Sequence, residues 1–361
     1  MADISAHIDP IVASIYEQYE KRGGSEKARN YLGASVIGRE CKRALWYGFR
    51  WADKERFDGR TLRLFQTGHM AEPRFTADLR AIGVKVHDVD PATGKQFGFE
   101  SHGGHMKGHM DGCATNIPQG GHKWHVLEFK THGTKSFTEL KKNGVRKAKP
   151  EHFIQMNWYM GKSGMDRALY LAVNKDDESL YSERVEFDQV EFERTEAKAE
   201  SIIFGPLPPP KISEDPKYYL CNWCPFNAVC HGHKGFAKSC RSCVHATPER
   251  EGNARWSCAF YRAEEIPLEA QRAGCENHLT LPFLVTYAEP MDAGDGWVLF
   301  KRKDTGDEFV VASEVTAPPG DLPATTPIFR STEIAAAVDH RSVCNPEVEA
   351  FRNKFGAKVV G

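Results

Sequence analysis

The cysteines constrain this chain more than any other feature of its sequence. Cys221, Cys224 and Cys230 stand close together in the segment YLCNWCPFNAVC, while Cys41 stands alone far upstream. A metal bound by all four thiolates would tie two distant parts of the chain together and serve a structural role. Zinc sites usually come as two close pairs of ligands, so the split of one and three favours an iron–sulfur cluster, with zinc as the alternative.

A second set of four cysteines follows in a compact stretch: Cys240, Cys243, Cys258 and Cys275. Their spacing predicts a structural zinc ion in a zinc-ribbon-like module over residues 237–280. His278 is an alternative to one cysteine ligand, and a second iron–sulfur cluster is an alternative to zinc. Cys113 and Cys344 have no companions nearby in sequence, and we expect them to be packing residues.

The remaining composition bounds where the protein works and what it contacts. The 361 residues carry 48 basic and 49 acidic side chains, so a nucleic-acid surface would require local clustering of Lys and Arg. The sequence has no apolar run long enough to span a membrane, and its N-terminus carries acidic residues where a signal peptide needs a basic start. We therefore expect a cytoplasmic protein, in which the ten cysteines remain reduced.

The chain divides into four stretches. Residues 31–236 alternate between helical and strand-like patterns and predict an α/β core. Residues 237–280 form the cysteine-rich module, and 281–361 predict a small α+β region with a hairpin at WVLFKRKDTGDEFVVA. Residues 1–30 predict one amphipathic packing helix, whose apolar positions recur at helical spacing: Ile8, Ile11, Val12, Ile15 and Tyr19.

Within the α/β core, periodicity and turn signals predict ten elements. Helices are expected at 40–49, 60–82, 135–143, 150–163 and 188–204. Strands are expected at 84–90, 105–114, 123–131, 166–174 and 181–187. The alternation predicts a central sheet flanked by helices.

Acidic residues in this core form the candidate catalytic site. In the strand WHVLEFK, Glu128 and Lys130 are two residues apart, so their side chains leave the same face. Asp111 ends the preceding strand in KGHMDG, and a Gly/Pro-rich link could return the chain beside it. Glu72 follows Gly68 in a helical stretch. Three carboxylates make a hard oxygen site suited to Mg²⁺ or Mn²⁺.

The order of these residues resembles the RecB-like branch of the PD-(D/E)XK nucleases over about residues 31–235. The similarity comprises a GxxxE helix motif ending at Glu72, a G-x-x-D-G turn at Asp111, the E-x-K of Glu128 and Lys130, and a QxxxY helix starting at Gln155. The one-plus-three cysteine split is similar to the iron–sulfur nucleases related to the AddB subunit and to the CRISPR-adaptation nucleases.

The resemblance implies a restriction-endonuclease-like core and a role for each residue. Lys130 would orient the attacking water and balance charge on the phosphorane. Gln155 and Tyr159 would position the DNA strand. Cys41, Cys221, Cys224 and Cys230 would hold a [4Fe-4S] cluster. One or two Mg²⁺ or Mn²⁺ ions would be bound by Glu72, Asp111, Glu128 and the Phe129 carbonyl, with His69 as a further candidate ligand.

A basic stretch follows the catalytic strand. Glu139 is the sole acid between Lys130 and Lys149, and the candidate phosphate contacts are Lys135, Lys141, Lys142, Arg146, Lys147 and Lys149. Such a stretch is usually a solvated helix, but between E-x-K and QxxxY it is placed to neutralise DNA phosphates.

We therefore expect a metal-dependent DNA nuclease, an exonuclease or end-processing enzyme of recombination, repair or phage replication. The alternatives are a structure-specific or restriction-type endonuclease, and an inactive DNA-binding or assembly protein stabilised by metals. A helicase or recombination partner is compatible with the sequence, which contains no P-loop motif of its own.

Overall fold

The structure is a computed structural model that describes residues 9–25, 28–316 and 325–337. Cys344, Ile8 and part of the predicted C-terminal α+β region lie outside the described residues. No helix in the described part of the chain is long and apolar enough to cross a membrane.

The described chain contains short strands and helices of moderate length. The helices are α1 (Pro10–Ser25), α2 (Lys42–Phe49), α3 (Gly59–Ala81), α4 (Thr134–Ala148), α5 (Pro150–Ser163), α6 (Gln189–Ile203), α7 (Tyr219–Asn222), α8 (Asn227–Cys230), α9 (Leu268–Ala273) and α10 (Ser331–Ala336). The strands are β1 (Leu32–Gly33), β2 (Lys85–His87), β3 (Gly98–Ser101), β4 (Met106–His109), β5 (Gly112–Thr115), β6 (His125–His132), β7 (Arg167–Asn174), β8 (Leu180–Glu186), β9 (Ala246–Pro248), β10 (Trp256–Cys258), β11 (Ala288–Gly294), β12 (Trp297–Arg302), β13 (Glu308–Ala312) and β14 (Ile328–Arg330).

A mixed five-stranded sheet forms the centre of the molecule. Its strand order is β2-β5-β6-β7-β8, and only β6 and β7 pair in parallel. The other neighbours are antiparallel. Helices α4 and α5 form the crossover between β6 and β7, as a parallel connection requires. This arrangement confirms the expected mixed α/β class with a helix-flanked central sheet.

The two faces of the sheet bury different layers. Leu127 and Phe129 of β6 face the layer that contains Phe75 of α3, against which Phe129 stacks with ring centroids 5.1 Å apart. Val126 faces the opposite layer, together with Met156 of α5. Because successive side chains of a strand alternate between faces, Glu128 leaves β6 on the α5 side.

The predicted helices of the α/β core match α2 to α6 closely, and four predicted strands match β2, β6, β7 and β8. The predicted strand 105–114 is wrong as one element. It is two strands in different sheets, since β4 pairs with β3 and β1, whereas β5 joins the central sheet. The break falls at Met110 and Asp111, and Gly112 follows with φ +146. The chain therefore changes sheets at the candidate metal-binding acid.

Helix α1 packs differently from the expected arrangement. Ile11, Val12 and Ile15 of its apolar stripe do not supply the packing face, because Ile11 is 72% exposed and the other two are exposed as well. Tyr19 of the same stripe is half-buried, and its hydroxyl donates to Gln66 of α3. The helix instead contacts the start of α3, where Glu20 accepts a hydrogen bond from the Gly59 N–H at 2.7 Å. A side chain at Gly59 would collide with the Tyr16 backbone, so glycine permits this close approach.

The cysteine-rich stretch packs directly on the α/β core. Strands β9 and β10 form an antiparallel hairpin, and Trp256 of β10 is fully buried in the same hydrophobic cluster as residues of α2 and α5. Arg241 is also buried, and its guanidinium donates to the Phe49 and Asn30 carbonyls at 3.1 and 2.9 Å. The ring of Trp51 lies 3.8 Å below the Arg241 guanidinium. The domain boundary at 236/237 stays a prediction.

The C-terminal stretch contains a small sheet with the order β11-β12-β13-β14. The predicted hairpin is confirmed as the antiparallel pair β12 and β13. Helix α10 follows β14 and buries Ile334 against this sheet.

Candidate active site

The E-x-K pair lies in the middle of β6. Glu128 is fully buried, and the Lys130 ammonium donates to its Oε1 and, at 3.2 Å, to the Phe129 carbonyl. Glu128 Oε2 is buried without a hydrogen-bond partner among the described residues. Leaving a buried carboxylate oxygen unpaired is costly, so this atom is suited to an additional cation.

Asp111 is held beside this pair by the pairing of β5 with β6. Its Oδ2 accepts the Phe129 N–H at 2.7 Å, and Gly112 stands opposite Leu127 in the ladder. A Cβ on Gly112 would lie 2.6 Å from the His87 carbonyl oxygen, so both its φ and its surroundings require glycine. The expected return of the chain beside β6 is thereby confirmed, and it places Asp111 next to the Glu128 strand.

Helix α3 brings the third carboxylate. The helix starts at Asp58, whose side chain caps it by accepting the Thr61 N–H at 2.6 Å. Glu72 lies midway along the helix and is partly buried. Burial raises its pKa, and the Asp111 carboxylate adds to the rise, while His69 and Lys130 oppose it. Glu72 and His69 thus share one electrostatic environment with Asp111 and Lys130.

Four charged groups perturb one another in this cleft. Burial raises the pKa of Glu128 to about 7; Asp111 and Glu72 add to the rise, whereas Lys130 opposes it. Burial also raises the pKa of Asp111. For Lys130, burial alone would lower the pKa, but Glu128, Asp111 and Glu72 together raise it above its ordinary value. Three carboxylates compete for one ammonium, so the site favours further positive charge.

The residues of the QxxxY motif lie deeper than expected. Gln155 and Tyr159 are both buried, with the Gln155 amide 3.5 Å from the Tyr159 hydroxyl. The Tyr159 hydroxyl donates to the His109 carbonyl at 2.8 Å, which fixes the turn that carries Asp111. Gly108 permits this contact, because a Cβ there would lie 2.8 Å from the Tyr159 ring. The geometry assigns Tyr159 a role in positioning Asp111.

The donor set fits a divalent cation through its chemistry. No group of three or more His, Cys, Asp or Glu side chains in the described ranges is arranged so that it could hold a metal ion. The Lys130 ammonium lies against Glu128, where it compensates the carboxylate charge. Glu128 Oε2 is unpaired among the described residues and the neighbouring acids repel one another, so the chemistry of the donor set suits a divalent cation.

The first set of cysteines is brought together by the fold. Cys41, directly before α2, lines one cavity with Cys221, Cys224 and Cys230. Burial raises the pKa of Cys221, and the neighbouring Cys41 sulfur adds to the rise. The four thiols line one cavity, but no group of three or more His, Cys, Asp or Glu side chains in the described part of the chain is arranged to hold a metal ion, so a cluster or zinc at this cavity stays a prediction.

The second set of cysteines also converges. Burial raises the pKa of Cys240 to about 12, and Cys243, Cys275 and Cys258 each add to the rise. The alternative ligand His278 is engaged elsewhere, since its two ring nitrogens lie 3.2 Å from the Ser242 hydroxyl and 2.8 Å from the Ser331 hydroxyl. His278 is therefore less available as a metal ligand, and a zinc site formed by the four cysteines stays a prediction. The isolated Cys113 is buried, as expected of a packing residue.

The basic stretch forms helix α4 and the turn into α5. Its side chains at Lys135, Lys141, Lys142 and Lys147 are exposed. Arg146 is engaged in an ion pair with Asp188 at 2.6 Å. Lys149 lies closer to the core, where it acts electrostatically on His132 and His152.

A buried network beside Glu128 has no counterpart among the predicted site residues. The Tyr170 hydroxyl lies 2.8 Å from His132 Nε2 and 3.0 Å from His152 Nδ1. Tyr170 stands opposite Glu128 in the β6–β7 ladder. Two sequence signals could have located the network, because His132 shares a strand face with Lys130 and His152 lies one helical turn before Gln155.

Comparisons with known proteins give distant structural similarities only. Neither a family model nor a curated protein matches the chain. The structure of the protein SSO0001 is 15% identical and aligns over 62% of this chain and 96% of its own, with a TM-score of 0.37. An alkaline exonuclease (LHK-Exo) from Laribacter hongkongensis is 18% identical and aligns over 52% of this chain and 90% of its own, with a TM-score of 0.35. The structure of LHK-Exo in complex with dAMP is 15% identical and aligns over 53% of this chain and 90% of its own, with a TM-score of 0.34. TM-scores this low establish neither a common fold nor a common activity.

Proposed function

We propose that this chain is a metal-dependent DNA nuclease that hydrolyses phosphodiester bonds. The observation that carries the proposal is the juxtaposition of Asp111 with Glu128 and Lys130, produced by the antiparallel pairing of β5 with β6. Glu72 on α3 completes a set of three carboxylates around one ammonium. The residue order of the RecB-like PD-(D/E)XK nucleases supports the same conclusion.

The ligands of the proposed cation are Glu72, Asp111, Glu128 and the Phe129 carbonyl, with His69 as an additional candidate. A bound Mg²⁺ or Mn²⁺ would supply Lewis acidity toward the phosphodiester and lower the pKa of water. The chain's own contribution is positional. The Lys130 ammonium, which donates to Glu128 and to the Phe129 carbonyl, would hold the attacking water by hydrogen bonding and offset the growing charge on the phosphoryl oxygens.

Two structural metal sites complete the proposal. Cys41, Cys221, Cys224 and Cys230 are proposed to hold a [4Fe-4S] cluster that fastens α2 to the segment containing α7 and α8. The second set, Cys240, Cys243, Cys258 and Cys275, is proposed to hold zinc. Each site would stabilise the fold without taking part in hydrolysis.

Cleavage of linear and circular DNA tests the proposed activity and its mode. We expect the purified protein with Mg²⁺ or Mn²⁺ to degrade an end-labelled linear duplex or single strand and to spare a covalently closed circle, because the proposed enzyme acts from ends. Gel electrophoresis of both substrates in one reaction measures this. Cleavage of the circle would favour the endonuclease alternative, and no cleavage of either substrate would favour the inactive DNA-binding alternative.

The proposed DNA surface on α4 gives a second prediction. Replacing Lys141, Lys142 and Lys147 with Ala should weaken DNA binding and flatten its salt dependence, since fewer counterions are released when fewer phosphates are neutralised. Measuring log Kd against log salt concentration gives the slope. The R146A variant is the matched comparison. Because Arg146 already pairs with Asp188, its loss should change the slope less than the loss of an exposed lysine. A triple variant with the wild-type slope would remove α4 from the DNA surface.

A further inference from the structure

The network around Tyr170 links four polar side chains one after another by hydrogen bonds. Ser136 Oγ lies 3.1 Å from His132 Nδ1, His132 Nε2 lies 2.8 Å from the Tyr170 hydroxyl, and that hydroxyl lies 3.0 Å from His152 Nδ1. The two imidazoles and the phenol ring also contact one another, with the His152 and Tyr170 ring planes only 24° apart. The rings are therefore held in place both by hydrogen bonds and by packing.

The hydrogen bonds allow only two directions along this chain. The Tyr170 hydroxyl carries one hydrogen, so it donates to one histidine and accepts from the other. If Ser136 donates to His132, then His132 donates to Tyr170 and Tyr170 donates to His152. In that arrangement the hydrogen of the His152 ring is on Nε2. The reverse direction would leave a lone pair at Nε2.

The free end of the network is His152, whose ring is affected electrostatically by Lys130 of the candidate active site. His152 is partly buried, and its hydrogen bond among the described residues is made through Nδ1, which leaves Nε2 as the end of the network. His152 shares a helical face with Gln155 and Tyr159, at spacings of three and seven residues. Burial lowers its pKa to about 2, with Lys130, His132 and Lys149 adding to the effect. The ring is therefore neutral at neutral pH, and the Lys130 and Lys149 ammonium groups act on it electrostatically.

We propose, on the basis of the proposed nuclease function, that His152 binds a backbone phosphate of the DNA strand through its Nε2–H. A phosphate oxygen accepts hydrogen bonds only, so its approach selects the direction in which Ser136, His132 and Tyr170 each donate toward His152. Tyr170 and His132 are positioning residues that fix the tautomer and the ring plane. The imidazole would give the phosphate a directional hydrogen bond, which an ammonium group alone does not provide.

DNA affinity measured without cleavage tests this role. In an E128Q background, H152A should raise the Kd for a fluorescein-labelled linear oligonucleotide about tenfold, as expected for a lost hydrogen bond to a charged group. H152Q retains an N–H donor and should recover most of the affinity. Y170F should weaken binding about threefold, because the His152 ring is retained but loses the Tyr170 hydroxyl, the donor that fixes the tautomer of His152. H122A is the control, since the exposed His122 lies at the opposite end of β5 from Asp111 and should bind normally.

The kinetics of the otherwise wild-type enzyme give an independent readout. H152A should raise KM while leaving kcat within about threefold, because a phosphate contact made equally in the ground and transition states affects binding alone. Thermal unfolding shows whether each variant is folded, and Y170F and H152Q carry the test if H152A is not. If H152A is folded, a Kd within twofold of that of the E128Q protein would overturn the proposal. If H152A is not folded, equal Kd values for Y170F and H152Q, both within twofold of that of the E128Q protein, would overturn it. Absence of cleavage by the wild type together with weaker DNA binding by H152A would overturn hydrolysis but support the phosphate contact.

Discussion

Replacing Glu128 with Gln, or Lys130 with Ala, is expected to reduce DNA cleavage at least about 100-fold, which corresponds to about 2.7 kcal/mol of transition-state stabilisation. Glu128 is a proposed metal ligand whose Oε2 is buried and unpaired among the described residues, and Lys130 is the ammonium placed against it. Single-turnover cleavage of an end-labelled linear duplex measures the effect. The amide introduced by E128Q would keep the shape of the side chain without the charge.

The E128Q variant should also keep or gain thermal stability. Burial and the neighbouring acids raise the pKa of Glu128, so the ionised form is held at a cost that a neutral amide avoids. An active site that is less stable than its inactive variant is expected where charge is concentrated for function. The matched control is E249Q, whose carboxylate accepts the Ser257 hydroxyl in the hairpin of β9 and β10, away from the proposed site. Near-normal cleavage by folded E128Q or K130A would remove the assignment.

The second large effect is expected from Cys41→Ser. Anaerobically purified wild-type protein should be brown, with absorbance near about 400 nm and about four irons per chain. Losing one of four ligands from a cavity that joins α2 to the segment of α7 and α8 should release the iron and destabilise the α/β core, because the binding energy of a structural metal is largely folding energy. Metal analysis and thermal unfolding measure both consequences.

The second cysteine set supplies an internal reference for this experiment. About one zinc should remain in C41S, since Cys240, Cys243, Cys258 and Cys275 form a separate local set. The C113S variant is the matched control for losing a buried thiol, because Cys113 lies in β5 away from both sets. Wild-type protein that holds two zincs and no iron would contradict the cluster while leaving the nuclease proposal intact.

The strand-borne parts of the site could be predicted because they depend on local geometry. The two-residue period of a strand places Glu128 and Lys130 on one face, and the structure has them in contact. The position of Asp111 needed one further step, the return of the chain through a Gly/Pro-rich link. That step was correct. The predicted single strand 105–114 before the link was wrong, because an alternating apolar pattern cannot show that β4 and β5 belong to different sheets.

Other features depend on tertiary packing that no local pattern records. The Tyr170 network joins β6, β7, α4 and α5, and its members are distant in sequence. The stripe of Ile11, Val12 and Ile15 has the spacing of a packing face, yet α1 contacts α3 through other residues. Likewise, the hydrogen bond from the Tyr159 hydroxyl to the His109 carbonyl depends on β4 lying beside α5, which the sequence does not record, and the predicted role of Tyr159 at the DNA stays a prediction.

Metal-dependent cleavage by the wild type and D111N tests the proposed hydrolysis most directly. Asp111 accepts the Phe129 N–H through Oδ2, and the Asn amide of the variant preserves the shape of the side chain while removing its charge. We expect wild-type protein to degrade a labelled linear DNA when Mg²⁺ or Mn²⁺ is present, to stop in EDTA and to resume when the metal is restored in excess. D111N should stay inactive throughout. Cleavage that persists in EDTA, or that proceeds at the wild-type rate in folded D111N, would contradict a metal-dependent nuclease at this site.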